Sequence, residues 1–297
     1  MHKRRGLFFQ SLLLTLLIVL PMMGGVVYFA ARRGERQAAE AAAAGTTLAE
    51  PAGARSTHRL LLAVQGEEPA FLLLRLDGPA QQALFCALPG EMQLQAPAGT
   101  TTLAVCYLTA GPARAAKLLG DTLGIAPDAY LAATAAGFAD LWGDGPAIRF
   151  DTAAVLEEAV RAELGYGQDS LAELDAAAAP EFLQAAARAG LPPPALAQAR
   201  AAVWAAYFRQ GQPNLAALPN AVRAASARLL TDLTAQDLAR LEETLTWLSG
   251  AAGFTADYVA AGTEPAAGGW QLTAAGRDTL LELLAGGAPA TPETAGG

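Results

Sequence analysis

Residues Gly111 to Gly145 read "GPARAAKLLGDTLGIAPDAYLAATAAGFADLWGDG". Gly111-Pro112 places proline in a first helical turn, where its missing N–H costs nothing. Ala115, Leu118, Leu119, Thr122 and Leu123 follow at helical spacing, and Gly124 closes the helix. "DAYLAAT" (128–134) then predicts a strand, and "AAGFADLWGDG" (135–145) predicts a second helix that ends in glycine. "AIRFD" (147–151) predicts another short strand. Strands alternating with helices argue for an α/β layered domain.

The pattern extends in both directions. "HRLLLAV" (58–64), "AFLLLRL" (70–76) and "QQALFCALP" (81–89) are short apolar runs between turn residues, as buried strands are. Asp77-Gly78-Pro79 is a turn signal, so the second and third runs should form a hairpin. Beyond residue 151, segments 152–164, 180–189, 194–210, 215–231 and 234–250 carry helical spacing with little glycine. Thr234 followed by Asp237 is a capping signature for the last of these. "FTADYVAAG" (254–262) predicts a late strand and "TAAGRDTLLELLA" (273–285) a closing helix.

The amino-terminal end has a different physics. From Leu7 to Ala31 there is no charged residue, and about 20 apolar residues span a bilayer core. Aromatic residues near both ends of this run suit the membrane interface. The run exceeds the apolar region of a secretory signal peptide, and its exit, Phe29-Ala30-Ala31-Arg32, is a poor cleavage site. The expected organisation is an inside tail (1–6), a transmembrane helix (7–31), a stalk (32–57), a folded domain (58–285) and a disordered tail (286–297). Flanking charges nearly balance, and the short tail with Glu35 favours the N-terminus inside, leaving the domain extracytoplasmic.

Composition narrows function mainly by exclusion. The 297 residues carry 20 basic and 28 acidic side chains, a net charge of −8. Lys3, Arg4 and Arg5 precede the apolar run, so the rest is more acidic still. Such a surface repels nucleic acid. Cys86 and Cys106, the two cysteines, have apolar neighbours and read as free buried thiols, with a disulfide as the alternative. The sequence has no G-x-S-x-G, H-E-x-x-H, Walker or C-x-x-C motif.

In its order of pieces the chain resembles the extracytoplasmic domain of the LytR-CpsA-Psr family over roughly residues 58–285. "GPARAAKLLGDTLGIAPDAY" (111–130) is similar to the family's helix and strand, and "FADLWGDGPAIRFD" (138–151) to the segment that follows. "LTDLTAQDLARLEETL" and "GTEPAAGGWQLTAAGRDTLLELL" look like its closing elements. The resemblance implies a three-layer α/β/α domain with a mixed central sheet. It also implies a single-pass membrane protein that moves glycopolymers from a polyprenyl-pyrophosphate carrier to the cell wall with magnesium.

The family's charged positions are largely replaced. Its G-[TS]-D-x-R loop corresponds to "VQGEEPA" (64–70), with Glu67 and Glu68 but no arginine. Its S-D-T falls near Glu68-Pro69-Ala70, and its P-R-D falls on Pro89, Gly90 and Glu91. Its K-I-N falls near Thr102-Leu103-Ala104, and its R-x-x-R-Q on Leu196 to Arg200. Pyrophosphate transfer depends on arginine forks and a metal held by carboxylates. Arg75 and Arg200 are the candidate substitutes, and Glu68 and Glu91 the candidate magnesium ligands if transfer is retained. Arg75 otherwise reads as a solvated strand edge or an ion pair, and the loop acids as solvated.

Three functions remain open. The leading one is a catalytically degenerate relative that still binds a polyprenyl phosphate or pyrophosphate. The others are an active phosphotransferase with substituted residues, and a structural envelope module with a protein partner. A transferase needs several basic groups at the mouth of one apolar cavity. A lipid binder needs the cavity without them, and a scaffold needs a filled core.

Overall fold

The computed structural model describes residues 51–285 apart from 98, 144 and 168. The expected transmembrane helix from Leu7 to Ala31, the inside tail, most of the stalk and the 286–297 tail lie outside the described residues. Among those described, no helix is long and apolar enough to cross a membrane.

The first half builds the sheet. Strands β1 (Thr57–Gln65), β2 (Ala70–Asp77) and β3 (Gln82–Leu88) form an antiparallel meander. A small hairpin of β4 (Gln93–Ala96) and β5 (Gly99–Thr102) leads into helix α1 (Leu103–Leu123). Then come β6 (Ala129–Thr134), α2 (Ala135–Trp142), β7 (Ile148–Asp151), α3 (Glu158–Glu163) and β8 (Leu171–Leu174). The second half is α4 (Ala178–Arg188), α5 (Pro193–Gln210), α6 (Leu218–Ala224), β9 (Leu230–Thr231), α7 (Ala235–Gly250), β10 (Thr255–Tyr258), β11 (Thr263–Ala266), β12 (Gly269–Leu272) and α8 (Ala274–Ala285). The central sheet has the order β10-β3-β2-β1-β6-β9. β6 lies parallel to β1 and β10 parallel to β3, while the other neighbours are antiparallel, so the sheet is mixed as expected.

Helices cover both faces. Side chains alternate along a strand, and β1 and β2 use both of their faces. Leu61, Ala63, Phe71 and Leu73 pack under α1 and α8. Leu60, Leu62, Leu72, Leu74 and Leu76 face α2, α5, α6 and α7. A third apolar cluster joins the β7–β8 hairpin to α4 and the far side of α5. Helix α5 is thus buried on two sides, through Ala201 and Ala205 against the sheet and Ala199, Ala202 and Val203 against the hairpin layer. Small side chains let it lie close to both.

Several elements differ from expectation. The helix expected to start at Gly111-Pro112 begins earlier, at Leu103, with the Thr102 hydroxyl accepting from the Val105 N–H. It crosses a kink where Gly111 takes φ 80°, a conformation open to glycine and strained for other residues. Leu103, Cys106 and Tyr107 give the added turns a buried face. The helix expected over 152–164 is a 3-10 turn, Thr152–Ala154, followed by the six-residue α3. That expected over 215–231 breaks into 3-10 turns, the short α6 and β9. The ordered domain also takes in residues 51–57, which the sequence had assigned to the stalk. Gly53 packs there so tightly on α7 that a Cβ would stand 2.2 Å from the Glu243 carbonyl oxygen.

Other readings hold. The 70–76 and 81–89 runs form a hairpin, with Leu72 opposite Ala87. Thr234 and Asp237 form a complete capping box on α7. Cys86 and Cys106 are free and buried, and burial pushes the Cys86 thiol up to about 12.

Arg75 is not on a solvated edge. Its strand lies between β1 and β3, and its side chain is 1% exposed. The guanidinium pairs with Asp77 at 3.4 Å and donates to Gln82 Oε1 at 3.2 Å. It also donates to the Glu282 carbonyl of α8 at 3.2 Å. Arg59, bonded to Asp128, donates to the Leu284 carbonyl of the same helix, 3.1 Å away. Two arginines from the sheet thus satisfy backbone acceptors in the last turn of α8, which helices leave unpaired. Replacing Arg75 by Met strands Asp77 and the Glu282 carbonyl. The expected loss is about 3–5 kcal/mol, read as a lowered urea midpoint at unchanged slope.

His58, the second residue of β1, bonds through Nε2 to the Thr244 hydroxyl at 2.9 Å. Thr244 in turn donates to the Arg240 carbonyl. Burial holds the imidazole pKa below 6.5, with Asp128 opposing that shift. The folded state therefore resists a proton that the unfolded chain accepts. Stability from this group is full above pH 6.5 and falls as pH drops below it. Melting temperatures measured between about pH 7 and pH 5 should fall less steeply for His58→Gln than for the parent.

Candidate functional site

The cavity follows from the sheet's alternation. The leucine face of β1 and β2 looks across a gap toward α2, α4, α5 and α7, and the gap stays open. It measures about 600 Å³, within the roughly 300–1,000 Å³ of sites that enclose a small molecule. Leu60, Leu62, Leu74 and Leu76 form its floor. Phe138, Trp142, Trp204 and Tyr207 line its helical wall. These rings brace one another edge to face, Phe138 on Trp204 at 5.6 Å and Trp142 on Tyr207 at 5.3 Å. Such contacts hold ring positions beyond what burial alone supplies. The core on this face is therefore not filled.

The polar end lies where β1 runs out. Gln65, Gly66, Glu67 and Glu68 in the β1–β2 loop line the cavity, together with Gln184 and Arg200. Leu196 and Arg200 stand one turn apart on α5 and share this face, whereas Ala199 points into the hairpin layer. Burial pushes the Arg200 pKa down to about 10, and Glu91 partly offsets that shift. The guanidinium stays charged at neutral pH. It makes no side-chain hydrogen bond among the described residues. Next to the rim, burial pushes the Tyr107 hydroxyl pKa up, and the Gln65 side chain opposes that shift. Gly90 sits in the β3–β4 turn, its carbonyl accepting from the Ala104 N–H at 2.8 Å. A Cβ there would lie 3.2 Å from the Pro69 carbonyl oxygen, so this turn packs directly on the loop that carries Glu68.

The fold brings Glu67, Glu68 and Arg200 to one cavity and sets Glu91 within electrostatic reach of Arg200. It separates Arg75 from them. Arg75 shares the helix-α8 face of β2 with Phe71 and Leu73, opposite the cavity, so it is no substitute for a phosphate-binding arginine. Arg59 points the same way, and Arg149 is exposed on β7. Among the described residues Arg200 is the one basic side chain in the lining. Glu68 and Glu91 are both exposed, and no three His, Cys, Asp or Glu side chains gather into a metal site among the described residues. Such a donor set is not a protein-built magnesium cage. It leaves at most loop carboxylates for a cation whose other ligands would come from water and phosphate.

The aromatic wall was not singled out from the sequence. Its signal was present in Phe138 and Trp142, four residues apart on one helix, and in Trp204, Tyr207 and Phe208 on another. Nothing in the spacing says that these two stripes meet.

No family model matches the chain, and no curated protein matches it. Solved structures do. TagT bound to LIIa-WTA is 15% identical, with a TM-score of 0.55 over 80% of this chain and 94% of that one. TagV of B. subtilis is 15% identical, with a TM-score of 0.52 over 78% and 98%. A protein of Eubacterium siraeum is 12% identical, with a TM-score of 0.59 over 82% and 95%. The resemblance to the LytR-CpsA-Psr family holds in the fold: the described domain is folded as TagT and TagV are.

Proposed function

We propose that this protein is a membrane-anchored, extracytoplasmic relative of the cell-wall glycopolymer transferases that binds a polyprenyl lipid and transfers no glycopolymer. One observation carries the reading: an apolar cavity of about 600 Å³ with Arg200 as the one basic side chain in its described lining. The cavity offers the apolar surface that a prenyl tail needs, at about 25 cal/mol for each Å² removed from water. TagT, similar in fold, has been solved bound to LIIa-WTA, a wall teichoic acid species, which supports a lipid of the glycopolymer carrier cycle as the ligand class. The apolar run from Leu7 to Ala31 supports an anchor that keeps the cavity near a bilayer.

The charge at the rim argues against catalysis. A phosphoryl-transfer transition state needs several cations aimed at developing negative charge. Here the described lining offers one guanidinium beside Glu67 and Glu68. Each missing charge-assisted bond removes about 1.5–3 kcal/mol, and about 1.4 kcal/mol is already tenfold in rate. An open cavity also argues against a purely structural module, whose core would be packed to native density.

The full chain in detergent, titrated with farnesyl phosphate and followed by native mass spectrometry, should form a one-to-one complex. Val64→Trp from the sheet and Ala139→Phe from the helical wall each add bulk to the cavity lining and should both abolish that complex while the protein stays folded. No glycopolymer should move to peptidoglycan in an assay that scores an active transferase. Transfer would restore the enzyme reading, and absence of any complex would favour the structural one.

A further inference from the structure

The rim of the cavity is acidic, yet the feature poised to bind an anion is a cation. Glu67 and Glu68 line the opening with Arg200, and Glu91 acts on that guanidinium through space. All three acids are exposed. The guanidinium has a planar fork of donors that no described side chain occupies, and such a fork matches the oxygens of one carboxylate or one phosphate.

The number of charges decides what the rim accepts. A carboxylate carries one negative charge, and a phosphate monoester about 1.5–2 at neutral pH. A pyrophosphate ester carries more and is longer, so its second phosphate must lie beyond Arg200, among the carboxylates. Like charges set against each other at a partly desolvated site suppress the wrong partner.

Resting on the reading of the cavity as a lipid site, we propose that it selects an apolar chain ending in a single anionic group, a monophosphate or a carboxylate held by Arg200, and rejects pyrophosphate-linked lipids. The chain lies along Leu62, Leu74 and Phe138, and the head group meets the Arg200 fork where β1 ends. If the ligand is a polyprenyl lipid, the site takes the carrier in its discharged monophosphate form. A reaction that removes the carrier's load must then supply it.

The test uses the full chain in detergent and three probes: palmitate, farnesyl phosphate and farnesyl pyrophosphate, each without added metal. Palmitate, farnesyl phosphate or both should bind roughly tenfold or more tightly than farnesyl pyrophosphate, and which of the two wins identifies the head group. Arg200→Gln should lose about tenfold for the preferred probe with an unchanged melting temperature. Glu67→Gln/Glu68→Gln should raise affinity for farnesyl pyrophosphate, while a double variant with unchanged preference would mean that these acids do not set the selection. Pyrophosphate binding as tight as the others, or an Arg200→Gln protein that binds as the parent does, overturns the head-group inference and leaves lipid binding standing. Failure of all three probes removes the lipid site itself.

Discussion

The register of β1 against β2 is the constraint on which the rest of this protein depends. Leu60 pairs with Leu74, Leu61 with Leu73 and Arg59 with Arg75. Because side chains alternate, that pairing sends one set of leucines toward α5 and α7 and sends both arginines toward α8. A slip by one residue in either strand would exchange its faces. It would put an arginine into the apolar cavity and leave the carbonyls at the end of α8 without their donors. A register carrying two buried or half-buried guanidiniums is therefore strongly specified, since a wrong pairing strands a charge.

The same alternation makes the two sides of the sheet unequal. On the α1/α8 side, Phe71, Leu73, Leu118, Leu119 and Leu283 fill the space between strand and helix. On the other side, α5 is an alanine-rich helix shared between the sheet and the β7–β8 layer. Alanines give it close contact on both sides but little bulk. Bulky rings stand at Trp142, Trp204 and Tyr207 along the wall, and the space between wall and floor remains open. Among the described residues, one guanidinium and two carboxylates line its polar end.

Residue spacing made much of the sheet side legible. The runs 58–64, 70–76 and 81–89 and the strand at 128–134 are short, apolar and bounded by turn residues, and all four are strands of the central sheet. Thr234 and Asp237 announce α7 because a capping box is a local interaction between residues three apart. The alanine-rich stretches were less legible. Over 152–164 and 215–231, helical propensity is high everywhere and no apolar stripe fixes where a helix starts or stops, so packing cut those segments into short turns. The strand Leu171–Leu174 leaves little trace in the sequence because its alternation spans four residues, with Ala172 and Leu174 inward.

The sequence by itself determined the α/β layering, the β2–β3 hairpin and the acidic balance of charge. Those depend on the period and chemistry of neighbouring residues. Tertiary structure alone decided which arginine meets the cavity. Arg75 and Arg200 looked equivalent as isolated cations among apolar neighbours. Pairing with Asp77 and α8 assigned one to the closed side of the sheet, and one helical turn beyond Leu196 assigned the other to the open side. Which face a strand or helix turns inward depends on partners more than a hundred residues away, and no local pattern encodes that choice.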